Sequence, residues 1–174
     1  ITADGVYLSS SSDFSAHGQT RLSGNYEWIH RLGGHTLVSL HGDASDCAHV
    51  LGQLEAAERD YALNVAPQCS PDHHISCSAL AHYCRRLLAD NLRTRPLAVD
   101  ALFAGWRQQS HTSQAQSKLQ SDSSGEPELF VIDRLASLRQ VNFAVHGTEL
   151  PIVLSVLDKR YGVSFGSDSD RDKY

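Results

Sequence analysis

Two cysteines and two histidines fall in one short stretch: Cys69, His73, His74 and Cys77. Thiolate and neutral imidazole are zinc ligands, and this spacing could close around one ion. Structural zinc is more often held by Cys-x-x-Cys knuckles, and the stretch contains none. Pro67 and Pro71 punctuate it, so it reads first as a polar loop between helices, with the metal site as the rival reading. His17, His30, His35, His41, His49, His82 and His111, among ten histidines, share no pattern. They read as surface or hydrogen-bonded core residues rather than as proton carriers. Asp133 and Asp158 are possible members of a dispersed Ser-His-Asp triad, which geometry rather than spacing defines. The chain has no Gly-x-Ser-x-Gly elbow, no Gly-Lys-Ser/Thr phosphate loop and no His-Glu-x-x-His pair. No cofactor is therefore expected.

The elements that must position these groups follow from periodicity. Gly5–Leu8 reads as a short strand, Tyr26–Leu32 as a second and Thr36–Leu40 as a third, with Gly33-Gly34 as a turn. After Gly42 the period changes. Cys47, Val50, Leu51, Leu54, Ala57 and Tyr61 share one helical face, and Asp43 or Ser45 could cap that helix. A second helix is expected over Ser78–Leu92, ending before Arg95-Pro96. Strands return at Val99–Trp106 and Glu128–Asp133, and Leu135–Val145 continues as a hairpin. Pro151 opens a third helix, with Ile152, Val153, Val156, Leu157 and Tyr161 on its apolar face. Between these, Gln108–Pro127 is rich in Ser and Gln and is read as a mobile loop. Strands, helices, strands and helix in that order favour a layered α+β arrangement over a doubly wound parallel sheet.

Composition bounds the rest. The 174 residues suffice for one domain, expected over residues 1–165 with a polar tail at 166–174. A net charge of −5 argues against general nucleic-acid binding. No apolar run approaches the roughly 18 residues of a membrane span, so no membrane partner is expected. Ile1 to Gly5 lacks the features of a secretory signal. The four cysteines do not resemble a secreted disulfide framework, which points to reduced thiols. With no Met anywhere, the sequence is expected to begin inside a longer gene product.

Ordered motifs then carry a family resemblance. Phe143-Ala144-Val145-His146-Gly147, followed by Leu154 to Tyr161 with its Asp158-Lys159-Arg160-Tyr161 end, resembles a proteasome β-subunit segment. Asp133-Arg134-Leu135-Ala136-Ser137-Leu138 is similar to the hairpin of one non-catalytic subtype, at the fourth β position of the ring (beta type-4, also called beta type-2). Arg86–Arg95, Leu102–Trp106 and Gly42–Asp46 resemble its second-helix segment, the following strand and its strand-to-helix turn. The resemblance runs from about Gly5 to Tyr161.

The resemblance implies a four-layer αββα sandwich of the N-terminal nucleophile (Ntn) hydrolase type, with the C-terminal part of that fold beyond Tyr174. Catalytic members use an N-terminal Thr, a Lys, an Asp and a Gly N–H. In a gapless register the Thr position falls before Ile1, the Lys at Glu27, the Asp at Ser11 and the oxyanion Gly at His41. Asp158 alone matches a family residue near the site, so no catalytic role is carried over. The implied function is that of a structural β subunit of the protein-degrading core particle. Its implied partners are other β subunits in a seven-membered ring, an α-type ring and the opposite β ring, in cytoplasm and nucleus. The rival readings are an active threonine peptidase, a free-standing hydrolase and a zinc-binding module.

Overall fold

The computed structural model describes residues 1–2, 5–11, 14–16, 20–64, 74–107, 126–147 and 150–164. The chain divides into two compact units, Ile1–Asn142 and Phe143–Tyr174. The expected tail (166–174) and most of the expected loop (108–127) lie outside the described residues.

The first unit is built on a five-stranded antiparallel sheet. Its strands are β3 (Ile29–Leu32), β4 (Thr36–Gly42), β5 (Val99–Arg107), β6 (Glu126–Ile132) and β7 (Leu138–Gln140), in that spatial order. A two-stranded ribbon of β1 (Phe14–Ala16) and β2 (Thr20–Ser23) precedes it. Helices α1 (Ala44–Asn64) and α2 (Cys77–Asn91) connect β4 to β5 and pack on one face of the sheet. The α+β class expected from the sequence is what the chain adopts.

Side-chain alternation sorts the sheet into two faces. Val38 and Leu40 of β4, Val99, Ala101 and Phe103 of β5, and Phe130 and Ile132 of β6 face the helices. They meet Cys47, Val50 and Leu54 of α1 and Leu80, Ala81, Cys84 and Leu88 of α2 in one core. On the opposite face, Leu102 pairs with Val131 and Ala104 with Leu129, and all four are buried too. Burial on both faces explains why β5 and β6 read as nearly continuous apolar runs.

Local chemistry sets the ends of the elements. Asp43 caps α1: its Oδ1 accepts from the Ser45 amide at 2.9 Å, the Asp46 amide at 3.2 Å and the Ser45 hydroxyl at 2.6 Å. These bonds, the Ser45 hydroxyl first, hold the exposed carboxyl below the usual carboxylate range. Of the two candidate caps, Asp43 takes the role and Ser45 supports it. The chain enters this cap through Gly42, at φ +143°, and the Asp43 amide donates to the Ala98 carbonyl at 2.9 Å. Helix α2 starts one residue earlier than expected, because Ser76 is its N-cap and accepts from the Ala79 amide at 3.2 Å.

The β6–β7 turn is held by Asp133, whose Oδ1 accepts from the amides of Leu135 at 3.0 Å and Ser137 at 2.8 Å. Arg134 in the same turn meets Asp100 of β5 at 2.9 Å. The Asp133–Leu138 motif is thus a tight turn closed by its own first side chain.

Three expected strands differ. Val6–Leu8 form no strand, and Gly5 makes only an isolated bridge with Thr2. An extended pattern needs a ladder partner, and among the described residues these have none. β3 begins at Ile29, where its pairing with Ser39 starts, rather than at Tyr26; the Tyr26 and Trp28 rings before it pack on each other, 4.4 Å apart. β6 begins at Glu126, two residues inside the expected loop, where Glu126 and Pro127 pair with Arg107 and Trp106.

The second unit contains α3 (Leu150–Ser164), with Pro151 in its first turn as expected. The Ser155 hydroxyl donates to the Pro151 carbonyl at 2.6 Å.

Candidate functional site

Two positions singled out by the sequence meet at one cavity. Ser11 and Glu27 both line a space of about 400 Å³, together with Ser10, Asn25, Tyr26, Trp28 and Ile29. The segment before β3 supplies one wall and Ser10-Ser11 the other. Glu27 is exposed, whereas Tyr26 and Trp28 are half-buried. His41, near the end of β4, approaches from beside the cavity, its ring 6.0 Å from the Trp28 indole. Asp158 lies on α3, in the second unit. Among the described residues, the cavity lining thus offers one carboxylate, hydroxyls, an amide and two aromatic rings, and no Lys, Arg or His.

The metal candidate is only partly described, since Cys69 and His73 lie outside the described residues. His74 packs edge-on to His35, with ring centroids 6.2 Å apart. Cys77 is the first residue of α2 and is buried. Both border a smaller cavity of about 180 Å³. Among the described residues, no group of three or more His, Cys, Asp or Glu side chains is placed to hold a metal ion.

The cysteines are electrostatically quiet. Burial, then the nearby Asp43, pushes the Cys47 thiol up to about 11. Burial, then Glu128, pushes Cys77 up to about 12, while a hydrogen bond with Thr36 works the other way. Burial alone takes Cys84 to about 12. Alkylating reagents attack the thiolate, so these three should stay unmodified by iodoacetamide at pH ~8 and react fully in urea. Peptide mass mapping checks this, and native labelling at the unfolded rate would contradict it.

Sequence reasoning missed Glu128. It is 1% exposed, in β6 immediately before the apolar run Leu129–Ile132. Its Oε1 accepts from the Ser78 amide in the first turn of α2 at 3.2 Å, and Oε2 lies 3.5 Å from Arg107 Nε. Oε2 has no hydrogen-bond partner among the described residues. The available signal was an acid flanked by Leu129 to Ile132. Burial pushes this carboxyl up, and Arg107 and the Ser78 amide only partly offset it. Between the ordinary Glu range and the raised value, the folded state therefore holds a proton that the unfolded chain has released. The resulting stabilisation is full below the ordinary Glu range and is lost as pH rises through the raised value. Glu128→Gln removes this dependence. Its stability relative to the unaltered protein should rise as the pH increases above the ordinary Glu range in urea titrations. A difference that stays constant with pH would contradict the assignment.

Comparison with known proteins places this architecture. A family model described as "Proteasome subunit" matches residues 1–115. The chain belongs to the proteasome subunit family. A probable proteasome subunit beta type-4 from Neurospora crassa is 30% identical over 162 residues, covering 92% of this chain and 70% of the relative. A probable proteasome subunit beta type-4 from Schizosaccharomyces pombe is 29% identical over 155 residues, covering 88% and 70%. The proteasome subunit beta type-4 of Saccharomyces cerevisiae is 26% identical over 159 residues, covering 91% and 70%. The resemblance first carried by scattered motifs thus extends along most of this family member.

Proposed function

We propose that this chain is a non-catalytic structural β subunit of the proteasome core, the particle that degrades proteins. The observation that carries the reading is similarity to beta type-4 subunits over about nine-tenths of the chain. In this reading the sheet and its two helices form half of a four-layer αββα sandwich of the Ntn-hydrolase type. The chain sits in a seven-membered β ring, against an α-type ring and the opposite β ring, in cytoplasm and nucleus. The non-catalytic part of the reading is supported by the site chemistry. Where the family resemblance puts a Lys, this chain has the exposed acid Glu27. An acid there opposes the lowering of a neighbouring nucleophile's pKa that a cation would provide.

Affinity purification of the tagged full-length protein followed by native mass measurement tests the assembly. The expected result is a particle many times the mass of one chain, containing distinct β- and α-type partners. A stable free monomer as the sole species would overturn it. A covalent probe for N-terminal threonine should label partner subunits of that particle and leave this chain unlabelled. Labelling of this chain would overturn the non-catalytic part alone.

A further inference from the structure

We propose that the cavity beside β3 binds an organic cation, the ammonium or guanidinium group that a lysine or arginine side chain carries. The inference goes beyond the subunit assignment and stands without it. The cavity holds about 400 Å³, within the size range of small-molecule sites (roughly 300–1,000 Å³). Among the described residues, its lining contains one carboxylate, Glu27, and no Lys, Arg or His. Glu27 is exposed and makes no ion pair among the described residues. Its charge is therefore available to a ligand.

The remaining lining fits the same ligand. Tyr26 and Trp28 present two rings with centroids 4.4 Å apart, tilted by 55°. Aromatic faces attract cations through the ring quadrupole, and indole does so best. Ser10 adds a hydroxyl oxygen, which can accept from an N–H donor. Among the described residues of the lining, an anion would meet Glu27 with no compensating positive group. A neutral apolar ligand would leave the carboxylate and hydroxyls to be desolvated without a partner. The smaller cavity makes the contrast clear: among the described residues it borders His35, His74 and Tyr61 and no carboxylate.

The test uses the full-length protein, free or in the particle it purifies with, carrying Trp106→Phe so that Trp28 is the one indole among these 174 residues, and the signal is read as the difference from a matching Trp28→Phe preparation. Trp28 fluorescence is titrated with N-acetyl-lysine methylamide, N-acetyl-arginine methylamide and the neutral N-acetyl-norleucine methylamide. The expected result is a saturable change with both cations and none with norleucine. Glu27→Gln, at an exposed position, should weaken cation binding at least about fivefold, and Glu27→Lys should abolish it. Methylguanidinium run in parallel separates the sources. Affinity equal to the arginine derivative identifies a free small cation, and affinity at least about tenfold weaker identifies a peptide side chain. Norleucine binding as tightly as lysine, no saturable change with either cation, or affinity unaltered by Glu27→Gln would overturn the proposal.

Discussion

Phe103→Ala should lower the unfolding free energy by about 3–5 kcal/mol, the cost of removing a large ring from a closed core. Phe103 is 0% exposed and stands at the middle of β5, the central strand of the sheet. Its cross-strand neighbours are Val38 on one side and Phe130 on the other. Leu54, Leu80 and Cys84 from the two helices belong to the same buried cluster. The walls come from four different elements, so the cavity left by the ring cannot close through movement of one of them. Urea unfolding should show a lower midpoint with an unchanged slope, since the same surface is exposed on unfolding. A loss below about 1 kcal/mol would mean that the helices do not close over β5 as described.

Gly42→Ala should be at least as damaging for a different reason, costing about 3 kcal/mol or more or preventing folding. A Cβ at this position would lie 1.9 Å from the Ala98 carbonyl oxygen and 2.9 Å from its carbon. Both are backbone atoms, so no rotamer change relieves the overlap. The φ of +143° is in addition a conformation that L side chains rarely adopt. Relief would require separating Gly42 from its partner Val99, which breaks the Asp43–Ala98 bond and disturbs the α1 cap. Gly52 in α1 is the control: a Cβ there meets nothing within 4 Å. Gly52→Ala should therefore stabilise the protein by about 0.8–1 kcal/mol, the helix-propensity difference. Opposite signs for the two substitutions are the expected pattern. Equal effects would contradict the junction geometry.

The elements that could be read from sequence are those whose packing leaves a long pattern. Helix α1 shows its face through Cys47, Val50 and Leu54, which the core buries. Strand β5 shows itself as an apolar run because both of its faces are covered. Strands β1 and β2 span three and four residues, too short for alternation to register, and they were not foreseen. Gly5–Leu8 had strand composition, but strand composition does not supply a partner. The α2 start was misplaced because Ser76 and Ser78 are both plausible caps, and only the bond to the Ala79 amide distinguishes them. At the site, Ser11, Glu27 and His41 were marked through family register, not through any local pattern. Their approach to one cavity depends on how β3, β4 and the N-terminal segment lie in space. Glu128 was hidden because its meaning comes from Ser78, fifty residues away along the chain.

The order of the strands also bears on how the chain reaches this state. β3, β4, β5, β6 and β7 lie side by side in the order in which they are connected. Neighbouring strands can therefore zip as successive hairpins, with one exception. The β4–β5 ladder must close across residues 43–98, a segment that is itself the α1–α2 pair. Closing a long loop costs entropy before the ladder returns any energy, and such non-local pairings slow folding. If the two helices collapse against each other first, they shorten the distance that β4 and β5 must search. The β4–β5 seam is then the last major ladder to form, and it is the step that makes one sheet from two separate halves.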